Sequence, residues 1–121
     1  MKIRLQEIEL GISDSSKSKL FYNSILGLET SVDQEGLKVF DSGVAGVDFN
    51  VSTHLPPKMM VTSFLTDNLQ NVIDRLSASG VAFCGPKKSH LGMMTIEFND
   101  PDGHLVRVNQ PTDESPLWLK V

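Results

Sequence analysis

The stretch TIEFNDPDGHLVRVNQ, residues 95–110, decides the fold. Two runs rich in β-branched and aromatic residues flank a tight reversal at Asp100-Pro101-Asp102-Gly103. Pro101 presets φ for the second position of a type I turn, Asp102 suits the third, and Gly103 supplies the left-handed residue from which a returning strand starts. The stretch reads as a β-hairpin, with Ile96 and Phe98 on one arm and Leu105, Val106 and Val108 on the other. Such a turn closes hairpins of many functions. Its weight here comes from a matching half elsewhere in the chain.

Working outward, residues 3–12 (IRLQEIELGI) alternate as a strand, with Ile8, Leu10 and Ile12 on one face and Leu5, Glu7, Glu9 and Gly11 on the other. Asp14 starts a helix whose apolar face is Leu20, Phe21 and Ile25, and Gly27 ends it. Strands are expected at about 28–34, 36–41 and 46–52. HLPPK (54–58) is a linker, because two prolines stop a continuing strand. Met59 to Thr66 reads as a strand. Asp67 opens a helix with Leu69, Val72, Ile73 and Leu76 on one face, ended by Gly80. A strand at about 81–85 and a loop at 86–92 lead into the hairpin. Asp14 precedes Gly27, and Asp67 precedes Gly80, by the same 13 positions. The chain is therefore two βαβββ modules in one domain of 121 residues: module one about 1–53, linker 54–58, module two about 59–110, and a tail 111–121. The expected class is α+β, a curled mixed sheet around a concave cup with the helices outside, and a cup suits a small molecule.

Composition narrows the partners. A net charge of −4 lacks the basic stripe that nucleic acid demands. No apolar run nears the ~18–20 residues of a membrane span. The alternation beginning at Ile3 is unlike a secretory leader. The single cysteine, Cys84, excludes an internal disulfide, fits a reducing cytosol, and reads as a small buried strand residue. Phe21, Tyr22, Phe64 and Phe98 read as core, and Met93-Met94 as core or cup rim. The tail SPLWLKV from Ser115, which holds the only tryptophan, reads as an apolar segment that packs on another surface, a second subunit included.

With these elements in hand, the chain resembles the vicinal oxygen chelate superfamily of glyoxalase I, bleomycin-resistance proteins, fosfomycin-resistance enzymes and extradiol dioxygenases. The residues carrying the resemblance are Phe21-Tyr22 and Leu26-Gly27-Leu28 in the first half. In the second they are Asp67-Asn68-Leu69, Gly80-Val81-Ala82-Phe83 and Phe98-Asn99-Asp100-Pro101-Asp102-Gly103. The resemblance implies the fold but no single function, since the superfamily includes several enzymes and pure binders. Its enzymes place a divalent metal in the cup. The ligand positions it implies here are Glu7, then Asp48 or Asn50 (both on one face), then Val61, then Arg107. Val61 has no donor atom, and Arg107 offers N–H donors and no lone pair. A guanidinium at about 4 Å would repel a dication by about 8 kcal/mol at an effective dielectric of about 20. His54 (linker), His90 (loop) and His104 (after the turn) lack ligand spacing. No metal and no cofactor are therefore expected.

The expected concave face carries Leu5, Glu7, Glu9, Asp48, Asn50, Val61, Ser63, Leu65, Leu105, Arg107 and Asn109. Of these, Glu7, Glu9, Asp48, Asn50, Val61, Ser63, Arg107 and Asn109 are the candidate ligand-binding residues. Either Glu7 and Arg107 pair with each other, or a ligand completes the pairing, with Arg107 gripping a carboxylate or phosphate and Glu7 or Glu9 taking an amine or hydroxyl. The two are compatible. The resemblance then implies a metal-independent, cytoplasmic small-molecule-binding protein, a homodimer, that sequesters an antibiotic or metabolite. Its rivals are a glyoxalase-related lyase, isomerase or dioxygenase-like enzyme with a rearranged metal site, a metal-free catalyst using Glu7 as base, and an interaction module with an empty cup.

Overall fold

The computed structural model describes all 121 residues. By internal contact the chain falls into two compact units, Gln6–Thr62 and Met1–Leu5 with Ser63–Val121. The fold is α+β, with eight strands in mixed parallel and antiparallel pairings and few helices. The expected order of strand, helix and three strands is present twice.

In the first unit the strand order is β2 (Thr30–Gln34), β3 (Leu37–Asp41), β4 (Asp48–Ser52) and β1 (Ile3–Gly11), the last pairing parallel with β4 and the others antiparallel. Register aligns Ile8, Phe49 and Phe40 in one row. Tyr22 packs on that row, its ring 5.1 Å from Phe49 and 5.5 Å from Phe40. The helix begins as expected: Asp14 caps α1 (Ser15–Lys19) by accepting from the N–H groups of Ser16 and Lys17.

Its apolar face is not the expected one. Residues Leu20–Ile25 form a π-helical segment, with the Leu26 N–H reaching back five residues to the Phe21 carbonyl at 2.9 Å. The wider turn breaks the 3.6-residue period on which the face had been read, so Tyr22 turns inward. Leu20, Phe21 and Ile25 are more than half exposed, and Phe21 is not core.

On the helix-covered side an ion triad ties three elements together. The Asp33 carboxylate accepts from Lys19 of α1 and from the buried Lys38 of β3. These hydrogen bonds, Lys19 first, hold Asp33 down from 3.8 to about 2. A folded-state value below the unfolded one stabilises the fold above 3.8, and that contribution disappears as pH falls through about 2. Acid titration of the melting temperature should therefore be flatter for Asp33→Asn than for the wild type across this window. Parallel acid profiles for the two proteins would remove the triad from the account of acid stability.

In the second unit the strand order is β5 (Met60–Thr66), β8 (Leu105–Gln110), β7 (Met94–Asn99) and β6 (Cys84–Lys88). The expected hairpin is there: β7 and β8 pair antiparallel, the Gly103 N–H donates to the Asp100 carbonyl at 3.0 Å, and Gly103 has φ 88°. Asp100 further accepts from the backbone N–H groups of His104 and Asp102 and from the His104 ring, which lowers its pKa, the His104 backbone bond foremost. Helix α2 (Leu69–Ala78) lays Leu69 and Val72 on Ile96 and Val108, with Phe64, Phe98, Val106 and Met94 packed around them.

Three expectations shift here. The α2 cap is Asn68, whose side chain accepts from the Asn71 N–H, while Asp67 accepts from the N–H of Lys2 at 2.8 Å. Strand β6 runs later than 81–85 and takes in Pro86 to Lys88, read above as loop. Cys84 is exposed, not buried. Met93, read as core or cup rim, is core: with Leu65 it lies under Leu119 and Val121 of the tail, and the Arg4 guanidinium holds that tail by donating to the Lys120 carbonyl at 2.6 Å.

Candidate functional site: the polar sheet faces

Side chains alternate along a strand, so fixing the helix-covered rows also fixes what lies on the opposite face. In the first unit the rows on either side of Ile8–Phe49–Phe40 are Glu7–Asp48–Asp41 and Glu9–Asn50–Val39. Asp48 and Asn50, between which the sequence did not choose, share this face: Asp48 stands opposite Glu7 and Asn50 opposite Glu9. Asp48 and Asp41 are exposed and line an open hollow of about 450 Å³ with Glu29, Thr30 and the 42–47 loop. Asn50 is only 8% exposed, and its carbonyl oxygen is buried with no hydrogen-bond partner. An unmet buried acceptor costs about 1–3 kcal/mol, so this one is an anomaly in a face otherwise rich in carboxylates.

In the second unit the face opposite α2 carries Leu105, Arg107 and Asn109 on β8, Thr95 and Glu97 on β7, and Ser63 and Leu65 on β5. Ser63, Thr95 and Asn109 are buried polar residues. Register sets Thr95 opposite Asn109 and Glu97 opposite Arg107. The Arg107 Nε lies 3.7 Å from a Glu97 carboxylate oxygen, and Lys87 Nζ lies 3.1 Å from the same oxygen. Glu97 is the residue that sequence reading missed. The turn at 100–103 already places it across from Arg107, so counting back along the hairpin would have found it. Val61 is fully buried and shares the strand face of Ser63 and Leu65. Leu65 does not serve as open pocket wall, because Leu119 and Val121 cover it. His54 and His90 lie exposed in a turn and a short 3₁₀ segment, and His104 pairs with Asp100.

The metal implied by the resemblance finds carboxylates at two of its positions, Glu7 and Asp48, and not a full ligand set. Of its four positions, Val61 is aliphatic and buried, and Arg107 is a cation beside Glu97. Nowhere do three or more His, Cys, Asp or Glu side chains converge as a metal would require. What these faces offer is recognition chemistry: carboxylates and a buried amide acceptor on one, and a guanidinium with small hydroxyls and an amide on the other.

Comparison with known proteins agrees with this geometry at the level of fold. A glyoxalase/bleomycin resistance protein/dioxygenase superfamily member from Vibrio splendidus 12B01 superposes with a TM-score of 0.69 at 20% identity, over 91% of this chain and 100% of that one. Methylmalonyl-CoA epimerase from Mycobacterium tuberculosis gives 0.67 at 12% identity, over 91% and 89%. The Mn(II)-bound glyoxalase from Novosphingobium aromaticivorans gives 0.66 at 19% identity, over 88% of this chain and 38% of that longer one. The family model of the Glyoxalase/Bleomycin resistance protein/Dioxygenase superfamily matches residues 4–108, nearly the whole chain. With both βαβββ modules present and that match spanning them, this chain belongs to the glyoxalase/bleomycin resistance protein/dioxygenase superfamily.

Proposed function

We propose that this chain, a single domain over residues 1–121, is a small-molecule-binding protein that works without the metal of its enzymatic relatives. The observation that carries the reading is the buried, unpartnered carbonyl oxygen of Asn50 on the carboxylate-rich face. A ligand N–H or O–H donor would satisfy it, and Glu7, Glu9 and Asp48 would favour that donor being an amine. On its own face, Arg107, supported by Ser63 and Asn109 beside buried Val61, would take a carboxylate or phosphate in a fork. Antibiotics and amino-acid-like metabolites are small molecules that carry groups of one or the other of these kinds. The working form is a cytoplasmic homodimer.

Thermal-shift screening of purified protein against amphiphilic amines, aromatic acids and aryl phosphates, paired with metal analysis, tests the proposal. The expected result is stabilisation by a compound carrying an amine or hydroxyl donor, with metal well below one ion per chain. In Asn50→Leu, which replaces the amide by a similar apolar volume, the stabilisation by that compound should fall to less than a third. A stoichiometric transition metal would instead favour the lyase or isomerase, and an undiminished shift in Asn50→Leu would detach the site from Asn50.

A further inference from the structure

The C-terminal tail is seated on the same side of the second unit's sheet as Arg107. Met93 is extended (ψ 155°) where it leads into β7, so alternation puts its side chain on the side of Thr95 and Glu97. Leu65 shares the β5 face of Ser63. Both Leu65 and Met93 are fully buried, and the apolar side chains packed with them are Leu119 and Val121. The core beneath α2 is a separate cluster on the other face. One end of the Arg107 face is therefore apolar, and the tail occupies it.

The seat is shaped at two points. Gly92 has φ +68°, and a Cβ built on it would lie 2.7 Å from the Glu114 carbonyl carbon, so glycine is what lets the tail cross there. The Thr112 hydroxyl donates to the Gly92 carbonyl at 2.6 Å beside that crossing. Near the chain end the Arg4 guanidinium donates twice to the Lys120 carbonyl, from Nε at 3.1 Å and from Nη2 at 2.6 Å. No residue after Gln110 belongs to a strand. Beyond the Gly92 crossing the tail is held by Arg4 and by Leu119 and Val121, and lifting it breaks no strand pairing.

We propose that residues 115–121 are an autoinhibitory strap. Seated, they close the apolar end of the face; released, they yield Leu65 and Met93 to the apolar body of a ligand whose anionic group Arg107 takes. The proposal rests on the binding reading of this face given above, and spacing fixes the kind of ligand. Met93 stands four positions before Glu97, which faces Arg107. That is roughly 13 Å at about 3.3 Å per residue. A compact acid reaches Arg107 without meeting the tail, whereas an acid on an apolar body of that length has to displace Leu119 and Val121. Such a ligand binds only the fraction of chains whose strap is lifted, and its apparent affinity falls by that fraction. With the strap seated in about nine chains of ten, freeing it tightens binding about tenfold.

Two full-length variants test this. Arg4→Met removes the grip and keeps every apolar side chain of the tail, and Leu119→Ser removes the plug and keeps the grip. Calorimetry with phenylhexanoate, the long acid, and benzoate, the compact one, reads the effect. Both variants should bind phenylhexanoate at least about tenfold more tightly than the wild type, and benzoate no differently. Adding Arg107→Met to Arg4→Met should take the gain away. Trp118 is the only tryptophan and lies on the strap, so its fluorescence anisotropy should fall in Arg4→Met, and in the wild type when phenylhexanoate is added. Unchanged or weaker phenylhexanoate binding in Arg4→Met, with Arg107→Met still reducing it, overturns the strap and leaves the binding face standing; the tail is then a fixed wall. No binding of either acid by any of these proteins overturns the strap and the anion-binding reading together.

Discussion

Replacing Gly11 by alanine is expected to lower the free energy of unfolding by about 3 kcal/mol or more, the upper end of overpacking effects. A Cβ built on Gly11 would lie 1.8 Å from the Pro56 carbonyl oxygen and 2.7 Å from its carbon. Those are backbone atoms, so no side-chain rotation relieves the clash. Separating the two segments would break the bonds that hold them, from the Gly11 N–H to the Met59 carbonyl at 2.8 Å and from the Lys58 N–H to the Gly11 carbonyl at 3.3 Å. Strand β1 carries Glu7 and Glu9, so a displacement at its end would reach the candidate site. Gly27→Ala is the control: its φ is +95° but no atom lies within 4 Å, so only the conformational cost of about 1 kcal/mol is expected. Urea unfolding of both variants checks the pair, and a Gly11→Ala loss no larger than that of Gly27→Ala would show that the close approach is not limiting.

Exchanging Arg107 for methionine is expected to weaken binding of a carboxylate- or phosphate-bearing ligand by about 100-fold. That is the loss of a charge-assisted fork worth about 2.7 kcal/mol. The aliphatic stem is retained, and Glu97 keeps Lys87 as a cationic neighbour, so the hairpin should fold normally. Lysine at 107 keeps the charge and loses the planar fork, and it should recover only part of the affinity. Neutralising Glu97 to glutamine should act in the opposite direction, because it releases the guanidinium from a competing carboxylate 3.7 Å away. Calorimetry with the compound found by thermal shift reads all three. Equal affinity in wild type and Arg107→Met would take the anionic group away from this face.

The hairpin at 95–110 was legible because its information is local: Pro101 and Gly103 each dictate a dihedral, and once the turn is placed the register follows. The faces of β1, β4 and β8 were legible for the same reason, since a two-residue period needs only one buried row to orient it. The same sixteen residues held a partner that was overlooked, Glu97, which counting across the turn sets opposite Arg107. The first helix was misread for a physical cause. A five-residue reach in its second turn rotates the side chains out of the expected period, so Leu20, Phe21 and Ile25 turn outward while Tyr22 stays in the core as read. The Asp67 cap failed differently. Asp and Asn are both good caps, and the one nearer the N-terminus was taken up by Lys2, 65 residues away.

By itself, then, the sequence determined the α+β class, the twofold βαβββ plan, and the residue types at each position where the resemblance implies a metal ligand. All of these depend on neighbours within a few positions or on side-chain chemistry alone. Only the tertiary structure decided which apolar residues are buried, that Asn50 keeps a buried acceptor unmet, and that the tail covers Leu65 and Met93 while holding Trp118 outward. Burial and hydrogen-bond satisfaction are properties of what the rest of the chain brings up against a side chain. No local pattern encodes what arrives from a segment 54 residues away, as Leu119 does at Leu65.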